Sequence, residues 1–283
     1  MSERPTIPQI RQHKRAAGAP PLVMVTAYDA PSARVADDAG VELILVGDSL
    51  AMVVLGYENT LQVTIDDIAH HTAAVHRAGP GAVVVGDMPW MSYHNTVPEA
   101  VDNAAKLIRA GAQAVKLEGG RKRLPVVRAL LDAEIPVMGH IGLTPQSVHA
   151  MGGFKVQGRE LNAVRELLDD AKALADEGCF SIVVEGVPTL VGELLTEAVP
   201  VPTIGIGAGA GCDGQVLVFH DLLGWYDRKV PKFVRRYADL RGAALDALCA
   251  YRDDVRSGAF PSEAESYGLK PEAAAELARA FGR

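Results

Sequence analysis

The sequence predicts an α/β fold, a single closed (β/α)8 TIM barrel with an N-terminal helix and a C-terminal helical extension, and three observations lead there. Eight short apolar runs rich in Val and Ile recur along the chain, each stopping at Gly or a polar residue. Helical stretches alternate with them. The runs are apolar almost throughout, the mark of a parallel sheet covered on both faces. Eight such strands within 283 residues fit one barrel, whereas an open doubly wound sheet would need fewer.

In chain order, Thr6 caps a first helix running to Ala17, with the basic run 11–15 as its solvated face, and Gly18 and Pro20-Pro21 end it. The apolar runs follow as LVMVT (22–26), LILVG (43–47), AVVVG (82–86) and QAVKL (113–117). The second half supplies IPVMG (135–139), SIVVE (181–185), PTIGIG (202–207) and QVLVF (215–219). Helices are predicted at 31–38, 66–77, 97–109, 122–132, 160–177 and 189–197, several closing on Gly40, Gly79, Gly111 or Gly178. Between the last two strands there is room for a single turn only. A long helix over 232–256 and an Ala-rich one over 271–280 complete the chain, read as one domain of 1–283 with a core of about 6–261 and a tail of 262–283.

Composition narrows the function. A chain 48% hydrophobic and 22% charged suits a globular protein. A formal charge of −7 and a pI near 5.6 argue against nucleic acid or an anionic membrane as partner. No apolar run is long enough to span a bilayer, and the polar start MSERPTIPQI lacks a signal core. Cys179, Cys212 and Cys249 are odd in number and far apart, which fits neither a disulfide framework nor a zinc site. The expectation is a reduced, cytoplasmic protein.

The chemistry is concentrated where strands end. In QAVKLEGG (113–120), Lys116 and Glu118 stand two apart in a buried strand, so both charges share one face. Asp48-Ser49 follows the second run, Asp87 the third, His140 the fifth, and Glu185 ends the sixth. A barrel gathers these ends at one mouth, the face where barrel enzymes keep their sites. Four converging carboxylates repel one another unless a cation neutralises them, and oxygen ligands select Mg²⁺ or another hard divalent ion. Asp48 and Asp87 could instead cap helices. Lys116 can neutralise a substrate carboxylate or form a Schiff base. Glu185, behind four apolar residues, is a candidate base with a pKa raised by burial. His140 can bond substrate or satisfy loop backbone.

Long segments at 50–64, 87–96 and 140–159 follow strands and so rim the mouth, the last, with Gly142, Gly152, Gly153 and Gly158, reading as a mobile lid. Trp90, Met91 and Tyr93 either line an apolar pocket or pack the loop. Gly205 to Ala210 matches GxGxxA, but it comes late and lacks a following helix, so a dinucleotide site is not expected. His70, His71 and His76 read as helix-surface residues.

Taken together, TAYDAPSARVADDAG (26–40), VGDSLAMVVLG (46–56), HHTAAVHR (70–77), GDMPWMSY (86–93), VKLEGG (115–120) and GHIGLTPQSV (139–148) resemble the 3-methyl-2-oxobutanoate (ketopantoate) hydroxymethyltransferase family. GGFKVQGR (152–159), IGIGAG (204–209) and DGQVLVFHDLLG (213–224) extend the resemblance, which runs from about residue 6 to 261 and leaves 271–283 outside. The resemblance implies transfer of a hydroxymethyl group from 5,10-methylenetetrahydrofolate to 3-methyl-2-oxobutanoate through a Mg²⁺-stabilised enolate. The product would be 2-dehydropantoate, for pantothenate synthesis. It also implies Asp48, Asp87 and Glu118 as metal carboxylates, Asp48, Ser49, Asp87 and Lys116 as 2-oxoacid contacts, Glu185 as proton acceptor, and a homodecamer. The alternatives are another metal-dependent 2-oxoacid lyase or mutase on the same barrel, and a non-catalytic 2-oxoacid-binding barrel.

Overall fold

Every apolar run forms a strand: β1 Leu22–Thr26, β2 Leu43–Val46, β3 Val83–Asp87, β4 Ala114–Lys116, β5 Val137–Gly142, β6 Ser181–Glu185, β7 Thr203–Ile206 and β8 Gly214–Leu217. All pair in parallel with their sequence neighbours, and β1 pairs with β8 to close the barrel. This is a computed structural model, and it describes residues 5–14, 18–226 and 230–283. The helices in that range are α1 Ile7–Gln12, α2 Ala30–Asp38, α3 Leu50–Val53, α4 Ile65–Arg77, α5 Val97–Arg109 and α6 Leu124–Asp132. After them come α7 Val148–Met151, α8 Leu161–Glu177, α9 Thr189–Ala198, α10 Phe219–Leu223, α11 Leu240–Ser257 and α12 Pro271–Phe281. Among the described residues no helix is long and apolar enough to cross a membrane.

Strand alternation sorts the core into two layers. Leu22, Met24, Leu43, Leu45, Val83, Val85, Ala114, Met138, Val183, Ile204 and Val216 fill the barrel interior, joined by Ile10 of α1. The other parity (Ile44, Val84, Val115, Val137, Ile182 and their neighbours) packs outward against the helices. The inward parity is what aims functional side chains: continuing 83, 85 reaches Asp87, and 183 reaches Glu185.

Helix ends follow local chemistry. Gly178 closes α8 with φ 119°, a left-handed backbone that disfavours a side chain. Thr64 opens α4 with a capping box: its hydroxyl accepts the Asp67 N–H, and Asp67 accepts from the Thr64 backbone. That bonding, chiefly the Thr64 hydroxyl, holds the Asp67 carboxyl below its ordinary value. A depressed carboxyl stabilises the fold above its unfolded pKa, about 4, and ceases to as pH falls through the folded value. Thr64→Ala is therefore expected to cost about 1 kcal/mol in denaturant unfolding at pH 7 and less at pH 3. An equal loss at both pH values would contradict the coupling.

Tertiary contacts correct several sequence expectations. The first helix ends at Gln12 rather than Ala17: His13 turns extended and its N–H returns to Ile10. Residues 15–17 lie outside the described residues. Lys14 is no solvated residue; its ammonium reaches the Asp213 carboxylate at 2.6 Å and the carbonyls of Thr196 and Val201, drawing the chain off the helical path. The strand expected to end at Phe219 stops at Leu217, because the Phe219 N–H bonds to the Thr26 hydroxyl and begins α10. The helix expected from 232 starts only at Leu240. The Phe233 ring packs over Gly207, where a Cβ would stand 2.6 Å from it, and Asp239 caps the helix by accepting the Gly242 N–H.

The chain divides into two compact units, Met1–Leu222 with Lys229–Arg235, and Leu223–Arg228 with Arg236–Arg283. The first holds the barrel. The second is built on α11 and α12; in it the Tyr251 and Phe260 rings meet at 5.4 Å, and a Ser262–Glu265 capping box opens a short 3-10 turn.

Candidate active site

The ends of β2 to β6 converge on one buried polar cluster. Asp48, Asp87, Lys116, Glu118 and His140 are all buried, the most exposed being Asp48 at 6%. Lys116 Nζ lies 2.9 Å from Asp87 Oδ1, and Asp87 Oδ2 accepts the Asp48 N–H at 3.0 Å. β3 and β4 enforce that pairing, since Asp87 and Lys116 are register partners. Lys116 Nζ also stands 3.4 Å from His140 Nδ1. His140 bridges outward: its Nδ1 is 3.5 Å from Glu118 Oε1 and its Nε2 is 3.2 Å from Glu185 Oε2. Glu185, with its side chain 14% exposed, is the least enclosed of the set.

Asp48 arrives differently. The inward parity of β2 would point residue 47 inward, and that residue is Gly. The chain turns there into α3, with Ser49 already helical, and the turn brings Asp48 into the cluster. Neither Asp48 nor Asp87 serves as a helix cap; α3 starts without a side-chain cap bond, and α5 is capped by Thr96. The Ser49 hydroxyl meets the Tyr28 hydroxyl at 2.9 Å.

Electrostatics follow from this crowding. Burial, then the Asp87 and Glu118 charges, raise the Asp48 carboxyl well above its ordinary range. Burial also raises Asp87, with Lys116 opposing it. For Lys116 burial works against the ammonium, but the carboxylates of Asp87, Glu118 and Asp48 outweigh it and the pKa rises. Burial would raise Glu118, yet its bond to His140 and the charges of His140 and Lys116 bring it below normal. Burial and Lys116 push His140 down; the contacts with Glu118 and Glu185 more than offset them, taking it to about 9.

The carboxyl groups of Asp48, Asp87, Glu118 and Glu185 outnumber the cationic groups, Lys116 and a protonated His140, by four to two, and the donors are hard oxygens. That donor set fits a divalent ion such as Mg²⁺. Among the described residues no three His, Cys, Asp or Glu side chains form a ready cage, so the fit rests on charge and donor type.

Gln146, to which the sequence alone assigns no role, and Tyr93, expected either to line a pocket or to pack the loop, complete the site. Gln146 is 5% exposed and bonds both Asp48 and Glu118; the buried Tyr93 hydroxyl donates to Gln146 Oε1 at 2.6 Å and accepts the Glu118 N–H at 3.1 Å. Tyr93 thus packs into the site, whereas Trp90 and Met91 are exposed at 42% and 39%. Nor is 140–159 a loose lid throughout: β5 runs on to Gly142, and Leu143, Thr144, Gln146 and Val148 are buried. His71 is half-buried rather than a surface residue, with Nδ1 donating to the Tyr28 carbonyl at 2.6 Å. The GxGxxA stretch enters a turn after β7 with no helix before β8, as its context implied.

The fold resembles solved enzymes at low identity. Phosphonopyruvate hydrolase superposes with TM-score 0.57 at 13% identity, covering 97% of this chain and 99% of that one. 2,3-Dimethylmalate lyase, a member of the PEP mutase/isocitrate lyase superfamily, gives 0.57 at 14%, covering 98% and 96%. Sequence relatives are much nearer. The 3-methyl-2-oxobutanoate hydroxymethyltransferase of Syntrophobacter fumaroxidans is 53% identical over 95% of each chain. The enzyme of that name from Moorella thermoacetica is 55% identical over 93% of this chain and 98% of its own. A family profile described as ketopantoate hydroxymethyltransferase matches residues 4–263, stopping short of α12. With that match and those relatives, the chain belongs to the ketopantoate hydroxymethyltransferase family of enzymes.

Proposed function

We propose that the protein transfers a hydroxymethyl group from 5,10-methylenetetrahydrofolate to 3-methyl-2-oxobutanoate, with water, giving 2-dehydropantoate and tetrahydrofolate. The observation that carries this reading is the buried Asp48–Asp87–Lys116–Glu118 cluster at the mouth, joined through His140 to Glu185. Asp48, Asp87 and Glu118 would hold Mg²⁺, which when bound supplies Lewis-acid stabilisation of negative charge on the 2-oxoacid. Lys116 and the Ser49 hydroxyl orient the substrate carboxylate, fixing C3 relative to the base. Glu185 removes the C3 proton, and His140, whose Nε2 stands 3.2 Å from the Glu185 carboxylate, keeps that carboxylate aimed through charge. The carbon so activated bonds to the folate methylene carbon as one of its C–N bonds breaks; the oxygen of water replaces the other, and the C3 proton and one proton of water end on the two folate nitrogens. Exclusion of water by the buried wall strengthens each of these charge contacts.

The same reading includes a decameric assembly, checked by light scattering on the purified protein. The deciding experiment is product analysis by mass spectrometry, with the 2-oxoacid, Mg²⁺ and the folate omitted in turn. Formation of 2-dehydropantoate only when all three are present is expected. Cleavage or rearrangement of a 2-oxoacid without folate would move the assignment to a lyase or mutase.

A further inference from the structure

Gln146 sits at the start of the β5–α8 connection, in a 3-10 turn over Pro145–Ser147, and is 5% exposed. Both hydrogens of its carboxamide are used: Nε2 donates to Asp48 Oδ2 at 2.9 Å and to the Met88 carbonyl at 3.0 Å. Its backbone N–H donates to Glu118 Oε2 at 3.0 Å. The amide oxygen accepts from the Tyr93 hydroxyl at 2.6 Å. The orientation is determined, because a flipped amide would set its oxygen against the Met88 carbonyl, which can only accept. One neutral residue thus ties together the chain just beyond β2, β3, β4 and β5.

We propose that Gln146 is a positioning residue that latches the 143–151 segment onto the carboxylate cluster and fixes the orientations of Asp48 and Glu118 for metal binding. The inference rests on the metal-site reading above. Three buried carboxylates repel one another, and a neutral donor restrains two of them without cancelling the charge that a cation needs. Partners that orient ligating carboxylates are worth about 10–100-fold in metal affinity. The Tyr93 hydroxyl is part of the device, since it holds the amide in the donating orientation toward Asp48.

The test uses Gln146→Leu and Tyr93→Phe in the full chain, with Mg²⁺ as the probe. Hydrogen exchange of backbone amides 143–151 in metal-free protein should quicken at least tenfold in Gln146→Leu. The Mg²⁺ dissociation constant from calorimetry should rise about 10–100-fold, and Tyr93→Phe should move both readouts the same way. Unchanged exchange, or unchanged Mg²⁺ affinity, in a folded Gln146→Leu overturns the proposal; if that variant does not fold, the same outcomes in Tyr93→Phe do so. Absence of Mg²⁺ binding by wild type would instead overturn the metal-site reading, and exchange of the 143–151 segment then decides the latch by itself.

Discussion

Glu185→Gln is expected to lower kcat about 10²–10⁴-fold while leaving Mg²⁺ and 2-oxoacid affinity near wild type. The side chain keeps its shape and its place beside His140 Nε2, which stands 3.2 Å from the carboxylate, so the site loses a base and not its geometry. Binding survives because the charge offered to a cation comes from Asp48, Asp87 and Glu118, and Glu185 meets them only through His140. Exchange of the C3 proton of 3-methyl-2-oxobutanoate for deuterium, followed by NMR without folate, isolates the first proton transfer. Exchange should fall in parallel with kcat. If turnover is lost while exchange keeps its wild-type rate, Glu185 serves the folate half of the reaction; turnover within tenfold of wild type would remove it from catalysis.

Strand parity explains why part of this site was legible in the sequence. Asp87, Lys116, Glu118, His140 and Glu185 all fall on the inward parity of strands whose other inward residues are apolar, so one-dimensional spacing already places them at the mouth. Asp48 depends on a turn that breaks the parity, and it was found because it follows a strand, not from its register. Gln146 and Tyr93 carry no such signal: each is an uncharged residue in an irregular connection, and only the folded chain brings them within bonding distance of the carboxylates. The signal available for Gln146 was faint, a Thr-Pro-Gln-Ser turn directly after a buried strand. The errors share a cause. Residues 13–14 and 232–239 have acceptable helical composition, but the Lys14 bonds to Asp213 and the packing of Phe233 on Gly207 are long-range contacts that override it.

Lys116 is expected to act as a charge partner and not as an imine-forming nucleophile. A Schiff-base lysine needs a neutral amine near pH 7, which burial or a neighbouring cation provides by lowering its pKa. Here burial is outweighed by Asp87 at 2.9 Å, Glu118 and Asp48, and the ammonium is held above its ordinary range. Borohydride treatment with 3-methyl-2-oxobutanoate should therefore trap no adduct, and a substrate-sized mass increment on the peptide carrying Lys116 would reverse the assignment. The stability consequence is large. Lys116→Met leaves three buried carboxylates without their ammonium, and removing one partner of a buried ion pair costs about 3–5 kcal/mol. The loss should be fullest in metal-free protein and shrink as Mg²⁺ is added, because a bound divalent ion supplies the missing positive charge and stabilises the folded state by mass action. Lys116→Arg, which keeps the charge but not the reach, should lie between the two in stability and retain measurable 2-oxoacid binding. A metal-free Lys116→Met variant that unfolds at the wild-type denaturant midpoint would mean that the cluster does not depend on this ion pair.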